Sequence, residues 1–142
     1  MPYIAHPFMV LSYLYDCKES QNIILLAIAT ILHDVVEDCD VSIATIGKKF
    51  GHRVAALVEE LTSDPELIKA MGKEAYLKAK MKRMSSYALV IKLCDRLHNL
   101  QDRKPNDPYC EQTRNIIQHI STSRSLTDTH KKIIKLIKDK TL

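Results

Sequence analysis

Ile31-Leu32-His33-Asp34-Val35-Val36-Glu37-Asp38 decides how this chain reads. The stretch before it, from Ile23 to Leu32, is apolar apart from Thr30 and predicts a buried helix over about 21–36. Charges at the end of a buried helix are costly unless they are paired or coordinate a metal. Neighbouring His33 and Asp34 project about 100° apart on a helix, close enough to reach one shared ion. Glu37 follows His33 by four residues and Asp38 follows Asp34 by four, so the second pair lies one turn further along the same face. That gives two ligand candidates, with two acid/base candidates beside them.

A second stretch of the same kind is Lys92-Leu93-Cys94-Asp95-Arg96-Leu97-His98-Asn99, within an apolar run that starts at Ala88. Asp95 and Asn99 are one turn apart, and Lys92 lies three residues before Asp95. His6, at the entrance to a short helix over about 7–15, adds an imidazole. His6, His33, Asp34 and Asp95 together make a nitrogen and oxygen donor set without thiolate, suited to Mn, Fe, Co or Zn. A divalent ion with open positions would polarise phosphoryl oxygens and acidify water. Glu37 and Asp38 would take a proton from that water or orient it. Simpler roles stand beside these. Asp95 pairs equally well with Arg96 or Lys92, Lys92 suits a solvated surface, and a lone histidine such as His6 is more often surface or core than ligand. His52, His98, His119 and His130 read as non-ligands.

Composition narrows the class. The 142 residues make one domain, 46% hydrophobic and 27% charged, with only 3 Gly and 5 Pro. Helices with short connections follow from so little turn material. The net charge of +4 comes largely from the tail lysines Lys131, Lys132, Lys135, Lys138 and Lys140. With no Trp and no stacking stripe of aromatics, nothing in it argues for nucleic acid. No apolar run is long enough to span a membrane, and the first residues lack the pattern of a secretory signal. Cys17, Cys39, Cys94 and Cys110 are too far apart for a CxxC motif, so they read as reduced thiols in the cytoplasm.

Cap signals mark the other helices. Ser42 opens 43–50, which Gly51 ends, and another helix covers about 52–62. Residues 66–83 read as one charged helix with Gly72 as a weak point. Ser85 opens about 86–100, Asp107-Pro108 opens a helix to about His119, and Thr127 opens the last, to about Lys138.

The ordered set Pro2-Tyr3-Ile4-Ala5-His6-Pro7, Leu32-His33-Asp34-Val35-Val36-Glu37-Asp38, Phe50-Gly51-His52-Arg53-Val54 with Leu57-Val58-Glu59-Glu60-Leu61-Thr62, and Ile91-Lys92-Leu93-Cys94-Asp95-Arg96-Leu97-His98-Asn99-Leu100 resembles the hydrolase domain of RelA/SpoT proteins, within the HD superfamily of metal-dependent phosphohydrolases. The resemblance covers about residues 2–102. It implies a single all-α HD-domain helical bundle over 1–142, with about seven helices and without the helix that opens other members. It implies one Mn²⁺ per chain on His6, His33, Asp34 and Asp95, with Glu37 and Asp38 as the catalytic pair. Asn99 matches an asparagine that contacts the nucleotide, and Lys92 is taken as a second substrate contact. The implied reaction is cleavage of the 3′-pyrophosphate of (p)ppGpp by metal-bound water, in the cytoplasm, with neither nucleic acid nor membrane as partner. Other family members carry a basic base-holding loop before the Pro-Tyr…His-Pro stretch, where this chain begins. An apolar patch around Phe8, Leu11 and the central helix is therefore expected, which invites a homodimer. Alternatives are an HD phosphohydrolase acting on another nucleotide phosphate, such as NADPH or a nucleoside monophosphate, and a non-catalytic HD module that binds nucleotide.

Overall fold

The computed structural model describes residues 23–39 and 41–141, with His6, Pro7, Met9, Val10 and Tyr13, all five of them helical. Of Ile23, Ile24, Glu37 and Asp38 it describes the backbone alone. Phe8, Leu11, Cys17 and Ser20 lie outside the described residues. The chain divides into two compact units, residues 1–63 and 64–142. Every described element is a helix or a connection, as the composition predicts, and there is no strand among the described residues.

The first unit holds α1 (Ile23–Asp38), α2 (Ile43–Phe50) and α3 (His52–Leu61), with α1 and α2 both packed on α3. The buried positions of α1 include Leu26, Ala29, Thr30 and His33. That spacing of three, four and seven is one stripe of a helix. Ile31 falls off the stripe and is 39% exposed, so α1 is buried on one side rather than all round. Ser42 caps α2 by accepting from the Thr45 N–H at 3.2 Å. From α3, Val54, Leu57, Val58 and Leu61 fill the core of the unit.

The second unit holds α4 (Pro65–Met71), α5 (Lys73–Arg83), α6 (Ser86–Asn99), α7 (Pro108–Ser123) and α8 (Asp128–Thr141). Here α6 packs on α8, α5 on α7, and α7 on α8. The single helix expected over 66–83 is two helices. Gly72 stands between them with φ +85° and ψ 153°, a conformation that side chains rarely adopt. Its N–H closes α4 on the Ile68 carbonyl at 2.8 Å, and its carbonyl accepts from Tyr76 N at 3.1 Å to start α5. Gly51 repeats the device between α2 and α3, at φ +93° and ψ 159°. The break lets α5 bury Tyr76, Leu77 and Met81 although most of its other residues are charged.

Side-chain caps set the remaining ends. Asp64, Ser85 and Asp107 each accept from the first-turn N–H groups of α4, α6 and α7. Arg124 donates from Nη1 to the Met81 and Met84 carbonyls, at 2.9 and 2.7 Å, where α5 ends. His130 is fully buried. Its Nδ1 accepts from the Thr127 N–H at 3.0 Å, so Nε2 carries the proton and donates to the Ser86 carbonyl at 2.8 Å. One neutral ring therefore joins the starts of α6 and α8. No helix among the described residues is long and apolar enough to cross a membrane. Cys39, Cys94 and Cys110 take part in no disulfide.

Gly72→Ala should destabilise the protein by about 1–3 kcal/mol in urea unfolding, all of it conformational, because an added Cβ would meet nothing within 4 Å. His130→Ala should cost about 2–3 kcal/mol in the same assay, since it empties a fully buried side-chain site and breaks two part-buried hydrogen bonds, to Ser86 O and from Thr127 N.

Candidate functional site

The last turns of α1 carry Asp34, Glu37 and Asp38 with no basic residue among them. A helix ends in unsatisfied carbonyls and a partial negative charge, so each carboxylate there costs about 0.3–1 kcal/mol unless a cation compensates. His33 precedes them and is 7% exposed. Its Nδ1 lies 2.7 Å from the Thr30 carbonyl, which can only accept. Nδ1 therefore carries a proton. Nε2 sits 3.2 Å from Asp34 Oδ1. At that distance the two atoms repel each other unless a proton or a metal ion lies between them. A hydrogen-bonded Nδ1–H with a bare Nε2 is the tautomer that metal-binding histidines use. Glu37 and Asp38 belong to the same helix, one turn on from His33 and Asp34; their side chains lie outside what is described. His6 is helical and half-buried.

In the second unit, α6 carries Lys92, Asp95 and Asn99. The Lys92 ammonium lies 3.7 Å from Asp95 Oδ2, too far for a hydrogen bond and near enough for attraction. Both side chains are largely shielded, at 17% and 14% exposure. Of the two cations that the sequence offers Asp95, Lys92 is the one within ion-pair distance. Arg96 goes elsewhere. It is 2% exposed and lies on the core face of α6 with Leu89, Leu93 and Leu97. Its Nη2 donates to Thr113 Oγ1 at 2.8 Å and to Gln112 Oε1 at 2.9 Å, and its Nε donates to Thr113 Oγ1 at 3.2 Å. Its guanidinium carbon lies 4.2 Å from the centre of the Tyr109 ring. Burial lowers the Arg96 pKa, opposed by Tyr109 and Asp95. Burial likewise raises the Tyr109 phenol above its ordinary value, opposed by Arg96 and by the Asn99 hydrogen bond. Asn99 Nδ2 donates to the Tyr109 hydroxyl at 3.1 Å.

Thus His33 meets Asp34 in the first unit, and Lys92 meets Asp95 in the second. Within either unit taken by itself, the described residues gather no group of three or more His, Cys, Asp or Glu side chains as a metal site. The Arg96, Tyr109 and Thr113 cluster was legible only in part. Arg96 keeps the spacing of the α6 core, four, seven and eight residues along from Leu89 with Leu93 and Leu97, and that periodicity was the available signal. Its partners come from α7, which no pattern in α6 reveals.

The comparisons with known proteins agree with one another. Residues 1–122 match the HD domain family. The chain is 32% identical to the human guanosine-3′,5′-bis(diphosphate) 3′-pyrophosphohydrolase MESH1, over 94% of this chain and 80% of that protein. It is 38% identical to the Drosophila melanogaster protein of the same description, over 75% of this chain and 59% of the fly protein. The chain thus spans less than two thirds of that relative's length. A solved structure of a metazoan SpoT ortholog, described as hydrolysing ppGpp with a role in starvation responses, aligns with a TM-score of 0.75 at 25% identity, covering 100% of this chain and 84% of that one. A structure of lmo0812 from Listeria monocytogenes EGD-e shares the fold, with a TM-score of 0.70 at 21% identity, over 99% of this chain and 98% of that one. The chain belongs to the HD-domain family, in the branch that contains the guanosine-3′,5′-bis(diphosphate) 3′-pyrophosphohydrolases.

Proposed function

We propose that the chain hydrolyses the 3′-pyrophosphate of (p)ppGpp with a divalent ion, Mn²⁺, as its cofactor. The single observation that carries this is the end of α1, where a buried histidine with a fixed Nδ1–H turns Nε2 toward a carboxylate. Such a pair asks for a cation, and its nitrogen and oxygen donors suit Mn²⁺ among divalent ions. The relatives named above supply the substrate.

In this reading His6, His33, Asp34 and Asp95 hold the ion. When bound, the ion supplies Lewis-acid polarisation of a phosphoryl oxygen and acidifies water. Glu37 and Asp38 accept the proton of the attacking water and orient it. Lys92 offsets phosphate charge, and its attraction to Asp95 keeps the ammonium near that carboxylate. Asn99 contacts the nucleotide. The P–O bond to the 3′ oxygen breaks, pyrophosphate leaves, and GDP or GTP remains. The reaction belongs to the cytoplasm, on a free nucleotide, with neither nucleic acid nor membrane as partner. Ile31, exposed on α1, is apolar surface that a homodimer would cover.

Pyrophosphate release from ppGpp, measured with and without added Mn²⁺, tests the reading directly. Asp95→Ala should lose bound metal on dialysis and all Mn²⁺-dependent release. Glu37→Ala should retain the metal and lose about 10²–10⁴ in kcat, the range of one acid/base group. Equal metal loss in both variants would refute the division of roles.

A further inference from the structure

The loop after α6 is built around one aromatic ring. Arg103 Nε donates to the Asn99 carbonyl at 2.9 Å, and its Nη1 donates to both Asp107 oxygens at 3.2 and 3.3 Å. Asp107 Oδ1 in turn accepts from Tyr109 N at 2.8 Å, opening α7. The Tyr109 ring then lies against two guanidinium groups, with Arg96 at 4.2 Å and Arg103 at 4.3 Å from its centre. Thr113 and Gln112 hold Arg96 from α7, and the Thr113 hydroxyl donates to the Tyr109 carbonyl at 2.8 Å. Backbone and ring of Tyr109 are both tied down, and the hydroxyl is left to receive Asn99 Nδ2 at 3.1 Å.

An asparagine amide at a helix end turns freely about its side-chain bonds unless something anchors one end. Here one end is anchored. Among the described residues no group donates to Asn99 Oδ1, so that oxygen is the end available to a ligand. A buried cation and an exposed one set against a ring whose hydroxyl meets an amide are more than packing requires, because an aliphatic residue at 109 would fill the space without a polar group. We propose that Tyr109 is a positioning residue for substrate binding: clasped by Arg96 and Arg103, its hydroxyl holds the Asn99 amide so that Oδ1 faces the nucleotide. This rests on Asn99 being a nucleotide contact, as in the proposed function.

The test is Tyr109→Phe in the full chain, which keeps the ring and removes the acceptor. KM for ppGpp should rise about five- to tenfold, as expected for one lost hydrogen bond, with kcat within about twofold of wild type. The thermal midpoint should stay within about two degrees. Asn99→Ala should raise KM at least as far, and the double variant should be no worse than Asn99→Ala alone, because the two groups act as one unit. Additive effects, or an unchanged KM in Tyr109→Phe, would overturn the proposal while leaving the hydrolase reading intact. A second readout does not need turnover. The Asn99 side-chain amide resonances, assigned by their disappearance in Asn99→Ala, should be protected from solvent exchange in wild type and lose protection in Tyr109→Phe. If wild type releases no pyrophosphate from ppGpp, the hydrolase reading fails, and these resonances alone decide: protection unchanged by Tyr109→Phe overturns the positioning role.

Discussion

Desolvation of polar side chains is the constraint on which both units depend. His33, Arg96 and His130 are each less than a tenth exposed, and each resolves its burial differently. His130 satisfies both ring nitrogens with protein backbone, so it needs nothing further and works as a joint. Arg96 keeps its charge against neutral oxygens and an aromatic face, which spreads the charge without a bonded carboxylate. His33 satisfies one nitrogen and turns the other toward a carboxylate that cannot donate. That arrangement places a ring nitrogen and a carboxylate oxygen where a proton or a metal ion fits between them, and chemistry is found at such places.

The two glycine joints show how the backbone supports this. Gly51 and Gly72 take nearly the same conformation and let one helix end and the next begin without an intervening loop. A residue with a Cβ would have to leave that region and lengthen the connection. At other helix starts, side-chain caps such as Asp64 and Ser85 serve as partners of the first N–H groups. The polar demand of the helix ends is thus met locally, and the exceptional groups are confined to α1 and α6.

Much of this could be read from the residues in order. Helix starts follow from Ser42, Ser85, Asp107 and Thr127, and each has its cap in the structure. Apolar runs ending in His33-Asp34 and carrying Asp95 marked the two stretches of interest, because charge in an apolar helix is expensive wherever it lies. The break at Gly72 was underweighted: a helix interior tolerates a glycine, and only the backbone angles distinguish tolerance from a turn. The role of Arg96 was missed for a different reason. Asp95 is its neighbour in sequence, but Arg96 lies on the core face of α6, and its partners lie on α7.

By itself the sequence determined the helical class, most helix boundaries and the two stretches that carry ionisable groups, because periodicity, caps and local charge act within a few residues along the chain. Only the tertiary structure decided the burial of His33, the pairing of Lys92 rather than Arg96 with Asp95, and the fastening of Asn99 to Tyr109. Hydrogen-bond partners in a desolvated interior are chosen by distance and direction in space, and those are set when helices pack.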